Sequence, residues 1–505
     1  MQNVLYKIKS FCERMNHDPE PKKESIFKDS HGEVHTPLHL VYQMLIQIPE
    51  YVIQNPYTKY LDTGAGFGNF SIVLFFILLK QNICEKHIFE NMLHLVEINE
   101  TNIKKLYHLF DGLNKITINN SKVKHNIYKN DFLIDDDLFT ANSYDVIYGN
   151  PPYNVNGKIK VPTNNVKDKK EDGVNMWTKF VRRAHYLLKP NGILLYIIPS
   201  IWCKPDKAKI YDLFTEEFQI LFLKFFTNSE TNKLFSSHAQ TPTCIVMAKK
   251  NEFPNSALRI SQLIPIYDTI NEHIISFNLR NGKAIPTQGI RIIEKMQNWT
   301  AEFGSLLPFI IKTSMPTQTA IIIPRKTITC FHENIHSAII CDKYSNIKKV
   351  ELVKKYSDKL LPYSNKVKLV LPHKMFGIPF YDISGKYGIS NRDNYLLILP
   401  DNLSEFYPYY EQFLKTNFVQ FILSCSRYRM MIIEKNIFDY SPCIHRVIKQ
   451  NRHFTVYPEH ISNEKKIKME VECVMKKIYS DLSDNEKEYI NNNFSDYDYI
   501  SDTMQ

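Results

Sequence analysis

The sequence predicts two domains of different class: a doubly wound α/β domain over residues 31–254 and a mixed α+β domain over residues 255–480. Three observations carry this. Strand-like and helix-like segments alternate from about residue 35 to 250, the signature of a parallel sheet covered by helices. One strand runs through a glycine-rich turn into a helix, "YLDTGAGFGNFS" at 60–71. Beyond residue 255 that rhythm stops, and short strand-like pieces mix with turn-rich chain. At 505 residues the chain is in any case too long for one ordinary core. Residues 1–30 read as an N-terminal extension and 481–505 as an acidic C-terminal tail.

The elements of the first domain follow in order. "KYLD" (59–62) is a strand, and the apolar "NFSIVLFFILLKQN" is the helix that leaves the glycine turn. Its core, "FSIVLFFILLK" (70–80), falls short of the roughly 20 residues a membrane span needs, so it predicts a fully buried helix. "LHLVEIN" (93–99) is the second strand, followed by the helical "ETNIKKLYHLFDGL". "HNIYKNDFL" (125–133) is the third strand, and "YDVIYGN" the fourth, β-branched and alternating until two prolines stop it. After a polar, charged loop at 156–173, "MWTKFVRRAHYLLKP" (176–190) has helical spacing and "NGILLYIIPS" is a strand. "ILFLKFF" and "TPTCIVMAKK" close the domain as an antiparallel pair. In the second domain "AIIIPRKTITCFH" and "KVKLVLPHKM" read as strands, and "LSEFYPYYEQFLKTNFVQFILSC" as helical.

Composition narrows the class. With 44% hydrophobic and 23% charged residues the chain is globular. The net charge of +10 fits a polyanionic partner, and the acids Asp481, Asp484, Glu486, Glu488, Asp496, Asp498 and Asp502 leave the remainder more basic still. Nine cysteines without a CxxC pair argue against a disulfide framework and a zinc site, and read as buried thiols. No metal is expected. The N-terminus carries no secretory leader, so an intracellular, cytoplasmic protein without membrane attachment is expected.

Gly64, Gly66 and Gly68 let backbone approach a ligand at a helix start, where N–H groups are unpaired. Such turns bind several nucleotide-like cofactors. An acid at the end of the second strand would take ribose hydroxyls, and Glu97, followed by Ile98, stands there; a solvated strand-end glutamate is the alternative. Asp131 ends the third strand, where a carboxylate can accept from the exocyclic amine of adenine with Phe132 covering the ring; a turn cap is the alternative. Ligands at successive carboxyl ends lie along the edge where open α/β sheets bind.

The fourth strand ends in Asn150-Pro151-Pro152-Tyr153. Here the sequence resembles the gamma class of N6-adenine DNA methyltransferases, which use S-adenosylmethionine. The order of motifs is similar: a Thr-Pro cofactor motif (Thr36, Pro37 in "HTPLHLVYQML"), the glycine motif from Asp62 to Phe70, the acid Glu97, the Asp131-Phe132 pair, then Asn-Pro-Pro-Tyr. The sequence departs at Thr63-Gly64, where many relatives carry a proline and a small residue. The resemblance covers roughly residues 30–250. It implies a Rossmann-like methyltransferase domain, a following target-recognition domain, double-stranded DNA as partner, and a cognate restriction endonuclease in some systems; a monomer is expected.

It also implies a chemistry. The exocyclic amine of adenine is a poor nucleophile because its lone pair is delocalised into the ring. An Asn150 side-chain oxygen and the Pro151 carbonyl, each accepting one amine hydrogen, would draw the nitrogen toward a tetrahedral shape. The prolines hold these carbonyls fixed and donate nothing. Tyr153 offers a face for a base extruded from the duplex, and the resemblance suggests Phe235 as a second wall, an ordinary core phenylalanine being the alternative.

Other readings of Asn-Pro-Pro-Tyr are methylation of a protein glutamine or of RNA. Those relatives are shorter, with their extra residues mainly before the glycine motif. A bifunctional restriction enzyme is a further class, but the N-terminal extension is expected to be too short for a nuclease and "DKYSNIKKVELVK" (342–354) reads as a solvated strand edge. In the second domain Lys374, Lys386, Arg392, Arg427 and Arg429 stand among aromatics and are candidates for phosphate or base contacts.

Overall fold

In a computed structural model of the chain, β1 (Tyr60–Asp62) is the strand on which the first domain is organised, buried along its whole length. The structure describes residues 2–15, 18, 35–117, 123–134, 138–154, 175–235, 241–252, 261–280, 282–316, 322–323, 332–341, 349–373, 379–429, 432–452, 457–458 and 460–494. The loop expected at 156–173 and Lys374 lie outside them. Two compact units emerge: Met1–Tyr267 with Asn278–Gly282 and Tyr428–Met430, and Asp268–Phe277 with Lys283–Arg427 and Met431–Gln505.

The first unit is a twisted sheet with parallel strands β2 (Leu93–Glu97), β3 (Asn126–Lys129), β4 (Tyr144–Gly149) and β5 (Leu188–Pro199) around β1. β6 (Phe218–Phe226) and β7 (Thr243–Lys250) then form the expected antiparallel pair. A hairpin of β8 (Ser261–Asp268) and β9 (His273–Arg280), within which the division of the chain falls, ends the order β3-β2-β1-β4-β5-β7-β6-β8-β9. The chain winds outward from β1 through β2 to β3, then returns to the other side of β1 as β4. Between β1 and β4 the order reverses, and a crevice opens at the carboxyl ends of such strands. Asp62 pairs in register with Tyr148, so the glycine turn and Asn150 leave neighbouring strands at the same height.

Helices α1 (Gln2–Arg14), α2 (Leu38–Leu45) and α3 (Asn69–Lys80) pack on one another. In α3 the residues from Asn69 to Phe75 and Leu78 are buried, whereas Phe76, Ile77 and Leu79 are only partly so. The expectation of a fully buried helix is corrected to this extent. Its neighbours α1 and α2 cover much of what the sheet leaves, which explains the apolar sequence. Helices α4 (Glu100–Thr117), α5 (Met176–Leu187) and α6 (Asn228–Leu234) follow β2, precede β5 and follow β6.

The second unit holds two four-stranded sheets. One joins β10 (Ile310–Lys312), β14 (Lys368–Pro372), β15 (Phe380–Asp382) and β17 (Asn394–Leu397); the other joins β11 (Ile322–Ile323), β12 (His332–Cys341), β13 (Lys349–Ser357) and β16 (Gly388–Ile389). β13 lies between β11 and β12, so this part of the segment read as a strand edge is an inner strand. Paired residues Lys368 and Asp382 are both buried, and their side chains meet at 2.6 Å. The lysine also donates to the Tyr363 and Lys366 carbonyls, so every bond that a buried ammonium needs is made. The long helical segment breaks at Thr416, whose hydroxyl accepts from the Val419 N–H and starts a new helix.

The segment expected as an acidic tail is helical over Asp484–Asn493. Ser483 and Glu486 form a reciprocal cap, and the buried Glu486 carboxylate takes the Lys295 ammonium at 2.7 Å. Of the described cysteines, Cys84 is exposed and Cys473 half-exposed, while Cys12, Cys203, Cys244, Cys425 and Cys443 are buried; burial of every thiol is too strong an expectation. Among the described residues no helix is long and apolar enough to cross a membrane.

Candidate active site

The glycine turn is shaped by two left-handed positions. Gly66 (φ +52°) and Gly68 (φ +86°) bring the chain round, and a side chain on Gly68 would press into Leu106 and Leu109 at about 3 Å. Gly64 has the opposite character: a Cβ there would meet nothing within 4 Å, so its backbone borders open space. The turn is tied from beneath. The Ala65 N–H donates to the Val96 carbonyl at 3.0 Å and the Gly66 N–H to Glu97 Oε2 at 2.7 Å. Glu97 Oε1 accepts from the Asn99 N–H at 2.7 Å, so the acid at the end of β2 locks two loops. Burial raises its pKa against these bonds.

Under the turn lies a polar cluster that the strand pattern alone does not announce. Asp62, fully buried, accepts from Ser71 Oγ at 3.2 Å, and Ser71 Oγ lies 3.3 Å from the Tyr148 phenol. The Tyr196 phenol donates to Thr63 Oγ1 at 2.9 Å. Burial, aided by the negative Glu97 and opposed by the Gly64 and Ser71 hydrogen bonds, pushes the Asp62 carboxyl up to about 7. The sequence signal for this cluster is weak: polar Ser71 inside an apolar helix, and tyrosines at inward strand positions.

Asp131 stands just past β3, one residue after Asn130, whose N–H donates to the Glu97 carbonyl. Its Oδ1 accepts from the Leu133 N–H at 2.9 Å, the geometry of a turn cap. Phe132 is buried against Phe180, ring centroids 5.1 Å apart. Ile98 is exposed beside Glu97.

Thr36 and Pro37 immediately precede α2, with Pro37 as its N-cap residue. Thr36 is buried and reaches two elements: its carbonyl accepts from Asn69 Nδ2 at 2.9 Å, and its hydroxyl accepts from Asn150 Nδ2 at 3.1 Å. His35 stacks on Phe67 of the turn at 4.1 Å between centroids, and the Lys105 ammonium lies 3.8 Å over the same ring. Lys105 lies outside every motif, and Phe67 and Asn69, though inside the glycine motif, are given no role by sequence reasoning.

Pro151 is buried, while Pro152 and Tyr153 are half-buried. The Tyr153 phenol is 3.5 Å from the Ile197 carbonyl, a long and weak hydrogen bond, and the ring packs against the core of the first unit. Phe235, expected as a pocket wall, is a buried member of that core. Short polar contacts thus pair Thr36 with Asn150, Gly66 with Glu97, and Asp62 with Ser71. Lys386 and Arg392 are exposed in the second unit, Lys386 with its ammonium 3.6 Å from Glu333; Arg427 is half-buried and Arg429 exposed.

The doubly wound sheet, its glycine turn at the strand-order reversal and the acid on the next strand define a Rossmann-like domain. Residues 53–232 match the family model described as Eco57I restriction-modification methylase. A curated relative, the Type II methyltransferase M.AccI of Acinetobacter calcoaceticus, is 26% identical over 251 residues, which is 47% of this chain and 41% of the relative. The chain therefore spans less than half the length of that protein. Among solved structures, the Type IIL restriction-modification enzyme MmeI in complex with DNA matches at 12% identity over 89% of this chain and 75% of that one, with a TM-score of 0.45. A modification subunit of a putative type I restriction enzyme from Vibrio vulnificus YJ016 matches at 15% over 54% and 53%, with a TM-score of 0.33.

The cofactor that the methylase family implies is S-adenosylmethionine. The residues present fit it. Backbone at Gly64 borders open space that a side chain would fill, and Glu97 stands at the end of β2 with its carboxylate on the Gly66, Asn99 and Ile98 N–H groups and the Asn102 side chain, so a ribose hydroxyl would take the place of one of these partners. Asp131 and Phe132 stand at the next strand end, as an adenine-binding pair would.

Proposed function

We propose that this chain is a site-specific DNA methyltransferase acting on the N6 amine of adenine, with the base turned out of the duplex into the site at Asn150–Tyr153. The observation that carries the reading is the register of Asp62 with Tyr148, which starts the glycine turn and the Asn-Pro-Pro-Tyr turn side by side. A methyl donor held on one turn and an amine held on the other would then be neighbours. The matched family's description as a restriction-modification methylase supports DNA as the substrate.

S-adenosylmethionine, when bound, supplies an electrophilic methyl group. Glu97 would hold its ribose hydroxyls, Asp131 the exocyclic amine of its adenine, and the glycine turn its amino-acid end. On the target side the Asn150 side-chain oxygen and the Pro151 carbonyl accept the two amine hydrogens. They stabilise positive charge developing on nitrogen, whose surplus proton then passes to water. No strong base is needed. Tyr153 supports the ring by stacking, worth ~1–3 kcal/mol per base. The second unit, with Lys386 and Arg392 exposed, would hold the duplex and choose the sequence.

The test is incubation of the whole chain with deuterium-labelled S-adenosylmethionine and unmethylated duplex DNA, followed by mass spectrometry of the nucleosides. Labelled N6-methyladenine is expected. Label confined to cytosine, or absent from the DNA, overturns the reading.

A further inference from the structure

We infer that Thr36 is a positioning residue for the transfer, acting through the Asn150 amide, and that Asn69 extends this linkage to the glycine turn. The inference rests on the function proposed above. Its basis is a continuous run of hydrogen bonds across distant stretches of sequence. Asn150 Nδ2 donates to Thr36 Oγ1 at 3.1 Å, and the Thr36 carbonyl accepts from Asn69 Nδ2 at 2.9 Å. Asn69 is the first residue of α3, directly after Gly68. Thr36 and Asn69 are both buried, which shields the bond between them from competing water, while the bond to the half-buried Asn150 is partly shielded.

A carboxamide is planar, with oxygen and nitrogen on fixed corners of one rigid group. Anchoring Nδ2 on the Thr36 hydroxyl sets the plane and the direction of Oδ1. An amide in this role must present oxygen, because the target amine offers only hydrogens and the Nδ2 group cannot accept them. Without the Thr36 oxygen the amide loses this anchor on Nδ2, and a half-turn would put a donor where an acceptor is needed. Thr36 is fixed in turn by its own backbone carbonyl, through a residue that directly follows the glycine turn. Loading of the glycine turn and orientation of the catalytic amide are thereby mechanically joined.

The test compares Thr36→Val, which keeps the shape and removes the hydroxyl, with Thr36→Ser, which keeps the hydroxyl. Single-turnover methylation of unmethylated duplex DNA is measured at saturating S-adenosylmethionine, with cofactor Kd from calorimetry on the same proteins. Thr36→Val is expected to lose about tenfold to a hundredfold in rate, within the range a misplaced catalytic group costs, with Kd changed less than about threefold. Thr36→Ser should restore most of the rate. Asn69→Ala should lower the rate in the same direction by a smaller factor, and it decides the matter by the same criteria if Thr36→Val does not fold. An unchanged rate in the folded variants overturns the inference. So does a loss confined to cofactor affinity, which would make Thr36 a cofactor ligand only. If the unmodified chain methylates cytosine instead, the adenine reading fails while the effect of Thr36 on rate stays measurable.

Discussion

The Gly66 N–H and the Glu97 carboxylate meet at 2.7 Å, joining the turn after β1 to the end of β2. Glu97 therefore has a structural task beside the one proposed for it toward the ligand. Replacing it by alanine leaves the N–H groups of Gly66 and Asn99 without their acceptor, and hydrogen bonds to a charged group contribute about 1.5–3 kcal/mol each. Glu97→Ala is expected to lower the melting temperature and to weaken S-adenosylmethionine binding more than about tenfold by calorimetry. A variant that melts lower yet binds the cofactor normally would remove Glu97 from the pocket.

Asn150→Ala is expected to abolish methyl transfer while cofactor affinity stays within a few-fold, because its proposed partner is the target amine. Single-turnover rates and calorimetry on one preparation separate the two. Normal turnover would make the Asn-Pro-Pro-Tyr turn structural.

Tyr153→Phe should cost little, since the phenol makes only a 3.5 Å contact with the Ile197 carbonyl. Tyr153→Ala should lower the rate roughly tenfold to a hundredfold, the worth of one stacking platform. Because the ring also packs on the core, the melting temperature of the alanine variant should fall as well. Equal losses of rate in both variants would point to the hydroxyl.

Asp62 gives a pH signature. Burial raises its carboxyl from 3.8 to about 7, so between these values the folded chain holds a proton that the unfolded chain has lost. Stability is unaffected below the lower value, falls as pH rises toward 7, and is level above it. The total change attributable to Asp62 is at most about 4 kcal/mol. Asp62→Asn cannot ionise and should flatten that part of the profile, read from urea unfolding across the same range. An identical slope in the variant would place the titration elsewhere.

Much of this is legible in the sequence because it rests on local rules. The strand, glycine turn and helix at 60–80 announce themselves by composition, and Asn-Pro-Pro-Tyr by two prolines that end a strand. The antiparallel β6–β7 pair is readable from two apolar runs. What escapes depends on non-local contact. Thr36 and Asn150 are 114 residues apart, and no periodicity links them. The Asp62–Ser71–Tyr148 cluster arises only when α3 lies over the sheet. Acidic 484–493 looks like solvated tail because a buried Glu486 makes sense only beside Lys295. Phe235 is drawn toward the pocket by resemblance, while its burial reflects packing that no motif encodes.

If the second unit holds DNA, affinity should fall steeply with salt, since each neutralised phosphate releases counterions. Lys386→Ala with Arg392→Ala is expected to reduce the slope of log affinity against log salt by roughly 1 for each phosphate that is no longer neutralised. A lower affinity with unchanged slope and altered site choice would assign them to base edges. No change in either would make them ordinary surface charges.

The central claim is that this chain marks adenine in DNA through Asn150. Modified-base sequencing of DNA from cells that express the protein, beside cells that express Asn150→Ala, tests it most directly. N6-methyladenine is expected at one recurring short sequence with the intact protein and none with the variant. Unmodified adenine in both, or methylated cytosine in its place, would contradict it.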